Sequence, residues 1–290
     1  MNVEMAYLIG MILGNGEIKR GTSKTRVTID IPHKNMLTDD GKDAAIYVQA
    51  SLIDIEDIVR PLVGVQINHI QGKRSTQISF EKNNDEYVMR EIVRLLGSGT
   101  KHNTMSFADE LFDMTQDEKK AMLRGFADVT AYIRKSNIAF GQPGHHRVYI
   151  EIPGNWEMVI DIANMLKSLD IPVQTIDFGH PNFRDSNLKM YNNGKPGYWK
   201  KEHQVKIWAN EFLPIGFHIK HKQSALENYS AELLDYMDSK KTHQFYWEKP
   251  VRIKSKPIHP CENDPSLPYS IRGKHFDSWT QLAEVLGYHE

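Results

Sequence analysis

Two hydrophobic periodicities alternate along the chain. The first segment, "YLIGMILG" at Tyr7 to Gly14, is apolar at every position. A helix over Met5 to Gly14 must therefore be buried on all sides. Period-two alternation follows in Glu17 to Arg20 and Thr25 to Ile31, predicting two strands. A helix is expected from about Asp43 to Val63, then a hairpin from "VQINHIQ" and "STQISFE" around Gly72-Lys73. The amphipathic segment "DEYVMREIVRLLG" predicts a helix stopped by Gly97. The same order then recurs. Helix Gln116 to Val129, capped by Thr115 or Asp117, precedes strands Tyr132 to Lys135 and His146 to Ile152. Helix Asn155 to Leu169, strands near Val173 to Phe178 and Gln204 to Trp208, and helix Ser224 to Tyr236 complete it.

The recurrence is also visible residue by residue. "RVTIDIP" at Arg26 to Pro32 returns as "RVYIEIP" at Arg147 to Pro153, an offset of 121. Upstream of each copy lies a glycine-bearing apolar segment, "LIGMILG" and "LRGFADV", with Gly10 and Gly125 offset by 115. Two matched segments in one order argue for a duplicated unit. The expected fold class is α+β, with two αββαββα units spanning 1–115 and 116–236 and a sheet in each. Residues 237–290 read as a basic, proline-bearing linker and a small C-terminal helical segment, Trp279 to Leu286, with Ser278 as cap and Gly287 as stop.

Helices apolar all round need partners, and in a duplicated chain the natural partner is the second copy. Gly10 with Gly14, and Ala121 with Gly125, place small residues on one face, which permits close approach. Asn15-Gly16 and Thr130-Ala131 would then meet at the lower end of that seam.

Composition narrows the class. The chain has 290 residues, 40% of them hydrophobic, and a net charge of -1. That balance suits a globular protein and gives no global attraction to nucleic acid. The single cysteine, Cys261, excludes a disulfide framework, and His259, Cys261, His275 and His289 fit no zinc spacing. No apolar run approaches the ~20 residues a bilayer span needs, so the expectation is an intracellular, cytoplasmic protein without membrane insertion.

"LIGMILGNG" at Leu8 to Gly16 and "LRGFADVTA" at Leu123 to Ala131 resemble the paired motifs of single-chain, pseudo-dimeric LAGLIDADG homing endonucleases. The Arg-Gly-Phe opening of the second copy, the element order and the repeat extend the resemblance over about Met1 to Tyr236. It implies a monomer whose two sheets form a saddle on double-stranded DNA, with an acid at the eighth position of each motif holding Mg²⁺. Those positions here are Asn15 and Thr130. An amide or hydroxyl brings no negative charge to retain a hard cation beside phosphates, so metal binding at Asn15 and Thr130 and family-type cleavage are both called into question. Glu17 and Asp128 are the carboxylates near enough in sequence to substitute.

The same resemblance marks "HIKHKQSAL", His218 to Leu226, as the segment carrying a basic active-site lysine, with Lys220 first and Lys222 next. Lys19, Lys24, Arg26 and Thr28 in the first unit, and Tyr132, Arg134, Arg147 and Tyr149 in the second, make basic, hydroxyl and aromatic rows suited to a DNA groove. Lys73 and Arg74 in the hairpin suit backbone phosphate. The expected function is site-specific duplex recognition, with cleavage in question. A non-cleaving regulator and a maturase-like RNA binder are the alternatives.

Overall fold

The computed structural model describes residues 1–38, 44–96, 99–135, 146–153, 155–173, 175–177, 202–240, 252–254, 270–271 and 274–275. The chain opens with α1 (Val3–Asn15), β1 (Gly16–Arg20), β2 (Lys24–Pro32) and a 3₁₀ turn, His33–Met36. α2 (Ala44–Val63), β3 (Asn68–Gln71), β4 (Ser75–Asn83) and α3 (Tyr87–Leu95) follow. The order returns with α4 (Gln116–Thr130), β5 (Ala131–Arg134), β6 (Arg147–Pro153), α5 (Trp156–Lys167), β7 (Thr175–Asp177) and β8 (Glu202–Trp208). A helical turn, α6 (Ala209–Phe212), and α7 (Lys220–Lys240) come next, then β9 (Arg252–Lys254), β10 (Ser270–Ile271) and β11 (Lys274–His275). The protein is α+β, and the αββαββ order occurs twice.

Strands order as β1-β2-β4-β3 in one sheet and β5-β6-β8-β7-β9 in the other, with β10-β11 apart. Every pairing of the first sheet is antiparallel. Compact units comprise Met1–Tyr149 with Trp208–Lys241, and Ile150–Ile207 with Thr242–Glu290.

In the first unit, α1 starts at Asn2, whose Oδ1 accepts from Met5 N at 2.9 Å. All ten residues from Met5 to Gly14 are buried. α4 starts at a capping box in which Thr115 and Glu118 satisfy one another's backbone N–H groups. The expected Thr115 cap and most of the expected strands are observed, because their signals are local. In the second unit, α5 is capped by Asn155. β7 there pairs antiparallel with β8 and parallel with β9.

Three differences have physical reasons. α1 runs one residue beyond Gly14, because Gly16 N still reaches Ile12 O. α7 begins at Lys220 and not near Ser224, because Asp54 on α2 accepts from Lys220 N at 2.9 Å. Ser224, a favourable cap by residue type, instead donates its hydroxyl to Lys220 O at 3.0 Å. β9 to β11 lie where a linker was expected; β9 pairs with the distant β7, β10 and β11 pair locally with each other, and strands of two or three residues leave no periodic trace. The proposed Gly97 stop, the Ser278 to Gly287 helix, His259, Cys261 and His289 lie outside the described residues. No helix among the described residues is long and apolar enough to cross a membrane.

Candidate nucleic-acid interface and helix seam

α1 and α4 pack against each other at backbone distance. A Cβ built on Gly10 would lie 1.9 Å from Met122 O, and one on Gly125 would lie 2.0 Å from Tyr7 O. The contact is reciprocal: Gly10 and Gly125 correspond in the repeat, as do Tyr7 and Met122. A Cβ on Gly14 would meet Thr130 Cγ2 and Val129 Cγ2 at 2.8 Å, so the helices stay close to their C-terminal ends. The glycines therefore fit an interface that any larger residue would open.

At the lower end of this seam Asn15 and Thr130 do come close, and both side chains are engaged. Asn15 Nδ2 donates across the seam to Val129 O at 3.0 Å. Thr130 Oγ1 donates to Phe126 O of its own helix at 2.7 Å. Asn35, from the 3₁₀ turn after β2, donates a second hydrogen bond to Val129 O at 3.1 Å. Lys222 Nζ, fully buried, donates to Ala127 O, Asp128 O and Ala131 O at 3.1, 3.2 and 2.8 Å. Ala127 O, which also accepts from Ala131 N, and the carbonyls of Asp128, Val129 and Ala131 at the end of α4 are thus met by side chains of Asn15, Asn35 and Lys222. Burial pulls the Lys222 ammonium down to about 8, with Asp128 opposing.

Asp128 points away from this floor. Its Oδ2 accepts from Tyr7 OH at 2.8 Å and from His218 N at 3.0 Å, and its Oδ1 is buried without a hydrogen-bond partner among the described residues. Burial raises its pKa above the ordinary carboxylate value. Burial, with Asp128 beside it, also raises the Tyr7 phenol well above its usual value. Glu17, one residue beyond Gly16, is partly exposed on β1 and lies 3.6 Å from both Lys19 Nζ and Lys101 Nζ.

The "HIKHK" segment turns Ile219 and Lys222 inward and leaves Lys220 exposed. His218 meets Asp54 O at 2.8 Å, His221 meets Met36 O at 2.6 Å, and Lys220 Nζ pairs with Asp54 Oδ1 at 2.9 Å. Lys220 itself is exposed, and Asp54 raises its pKa. This segment joins α2, the 3₁₀ turn and α4, a latch that residue spacing did not reveal because its partners lie far away in sequence. Asn35, Asp54 and His221 were missed for that reason. The one available signal was the acidic cluster Asp54 to Asp57, opposite in sign to the HIKHK lysines.

These donors do not fit Mg²⁺. The Asn15 amide presents its N–H₂ to a carbonyl, Thr130 Oγ1 is committed to Phe126 O, and a buried ammonium stands beside Ala131. A hard cation needs oxygen acceptors, carboxylates above all, and a neighbouring positive charge repels it. Among the described residues no group of three His, Cys, Asp or Glu side chains could hold a metal ion.

The strand faces carry the remaining candidates. On β1 and β2, Lys19, Lys24 and Arg26 are exposed and Thr28 is partly so, alternating with buried Ile18, Val27 and Ile29. Lys19 lies opposite Arg26, and Arg26 opposite Glu81. Lys73 and Arg74 are exposed at the β3–β4 turn, closed by Gly72 N to Ser75 O at 2.8 Å. On β5 and β6, Tyr132 stacks on Tyr149 with centroids 5.1 Å apart and planes at 11°. Arg134 lies over Tyr132, and Arg147 over Trp208 at the end of β8.

No family model and no curated protein sequence matches the chain. Solved structures do. The homing endonuclease I-DmoI in complex with DNA and Mn is 13% identical, with 77% of this chain and 97% of that chain covered at a TM-score of 0.40. The LAGLIDADG meganuclease I-AabMI bound to uncleaved DNA is 13% identical over 83% and 92% of the two chains, at 0.38. Full-length DUF199/WhiA from Thermatoga maritima is 11% identical over 81% and 60%, at 0.40. These likenesses are distant in sequence and in shape. The chain is similar to LAGLIDADG homing endonucleases, the family its two motifs resemble.

Proposed function

We propose that this protein recognises double-stranded DNA through the outward rows of its strands and does not hydrolyse it by the metal chemistry of the family it resembles. The observation that carries the reading is the committed seam floor. Asn15 Nδ2 spans to Val129 O at 3.0 Å, where an aspartate would set a carboxylate against a carbonyl. The residue standing at the metal-binding position is thus a helix-end donor. The scaffold survives without its acids because the amide and Lys222 supply what the helix end requires.

Recognition is supported by polar rows on hydrophobically anchored strands. Lys19, Arg26, Thr28 and Ser79 alternate with buried Ile18, Val27, Ile29, Ile78 and Phe80. Side chains fixed in that spacing present donors and acceptors to base edges at low ordering cost. On this reading the protein is a monomer and a binding module, with Lys73 and Arg74 on backbone phosphate.

Retention from a randomised duplex library tests the proposal. The expected result is enrichment of one family of sequences, competed poorly by single-stranded RNA of random sequence. Failure to enrich any duplex, or preferential competition by the RNA, would overturn it.

A further inference from the structure

The two strand pairs following the seam helices hold their cations in different ways. At the end of α1, Lys19 Nζ lies 3.6 Å from Glu17 Oε1, and Arg26 Nη2 lies 3.1 Å from Glu81 Oε2. At the end of α4 the equivalent positions carry rings. Arg134 Cζ lies 4.5 Å from the centroid of Tyr132, and Arg147 Cζ lies 4.4 Å from that of Trp208. Tyr132 occupies the place of Glu17, two residues beyond its helix end, and Tyr149 that of Thr28. No carboxylate among the described residues forms an ion pair with Arg134 or Arg147.

The difference decides what an incoming polyanion meets. A carboxylate cancels its partner's charge, so a phosphate approaching Arg26 meets a pair of no net charge and must compete with Glu81, while at Lys19 the single acid Glu17 is shared with Lys101 and offsets one of two positive charges. A ring orders the guanidinium and cancels nothing, since stacking leaves the full charge and in-plane N–H donors for a phosphate, at Arg147 those other than the buried Nε. The Tyr132–Tyr149 stack, 11° from parallel, supports Arg134 from below and limits the rotamer freedom lost on binding.

We infer that phosphate anchoring by these two strand pairs is asymmetric: Arg134 and Arg147 carry the backbone contacts of theirs, and Arg26 on the β1–β2 face contributes hydrogen-bond selectivity with little counterion release. This rests on the duplex-binding reading and deepens it, since it assigns each half of the interface a separate task. The consequence is that the duplex backbone is gripped more strongly at Arg134 and Arg147 than at Arg26.

A salt titration of the full chain against a labelled random-sequence duplex separates the two. Each phosphate contact contributes about 0.9 to the slope of log affinity against log salt. Arg134→Ala and Arg147→Ala should each flatten the slope by about that amount, while Arg26→Ala leaves it unchanged. Glu81→Gln, which releases Arg26, should steepen it. Arg134→Lys keeps the charge and should keep the slope, which excludes a fold defect as the cause. Tyr132→Leu should lower affinity at constant slope. Equal flattening by alanine in both hairpins, or no response to Glu81→Gln, would overturn the asymmetry while leaving duplex recognition standing. No salt-dependent retention of the duplex by the unmutated chain would overturn both.

Discussion

Asn15 shows how one atom changes what a scaffold can do. Its amide nitrogen donates to Val129 O, a bond no carboxylate can make. Asn15→Asp should therefore destabilise the protein at neutral pH by roughly 1–3 kcal/mol, the cost of a lost donor and a carboxylate facing a carbonyl. The check is the midpoint of urea unfolding; an unchanged midpoint would show that the amide is not engaged. The same bond, with Gly16 N tied to Ile12 O, also holds the Asn15-Gly16 pair away from the geometry deamidation needs. An intact mass matching the encoded sequence after prolonged incubation is the expected result. Lys222 supplies a pH dependence. Burial lowers its native pKa to about 8, below the ordinary lysine value of 10.5. Between those values the unfolded chain holds the extra proton, so this group makes stability rise as pH increases from about 8. The rise should vanish in Lys222→Met, measured by unfolding at several pH values against the unmutated chain. A persistent rise would assign it to another group.

At the scale of elements, the seam rests on glycines whose substitution costs are ranked by what a methyl would strike. At Gly10 and Gly125 it strikes backbone, Met122 O and Tyr7 O, at 1.9 and 2.0 Å. At Gly14 it strikes two side-chain methyls at 2.8 Å. Gly10→Ala and Gly125→Ala should each cost at least about 3 kcal/mol, and Gly14→Ala about 1–2, because side chains can shift and a helix backbone cannot. Equal costs in thermal unfolding would refute the ranking. These helices were legible in sequence because an all-apolar run with spaced glycines dictates a buried, close-packed helix wherever it occurs. The strands were legible because Val27, Ile29 and Ile31 alternate with polar residues over a single buried face. What spacing could not reveal was the latch. Asp54 begins α7 from 166 residues away, and Lys222, expected only as the second candidate for an active-site lysine, ends on the last carbonyls of α4. Tertiary capping overrides the local signal there, as Ser224 demonstrates.

For the whole molecule, duplication and divergence account for most of what is observed. One element order occurs twice, the two seam helices meet through reciprocal glycines, and the positions beyond them have parted in chemistry: Asn15 and Thr130 at the helix ends, ion pairs on one strand pair and stacked rings on the other. The acids that could hold a cation are elsewhere, Asp128 buried under Tyr7 and His218 and Glu17 beside two lysines. The account's central claim is that this seam supports binding without metal-dependent cutting. The most direct measurement incubates the purified protein with Mg²⁺ or Mn²⁺ and a randomised duplex library, and sequences both the retained and the broken molecules. Specific retention with no broken strands is the predicted result. Strand breaks that depend on the metal and disappear in Glu17→Gln or Asp128→Asn would contradict it.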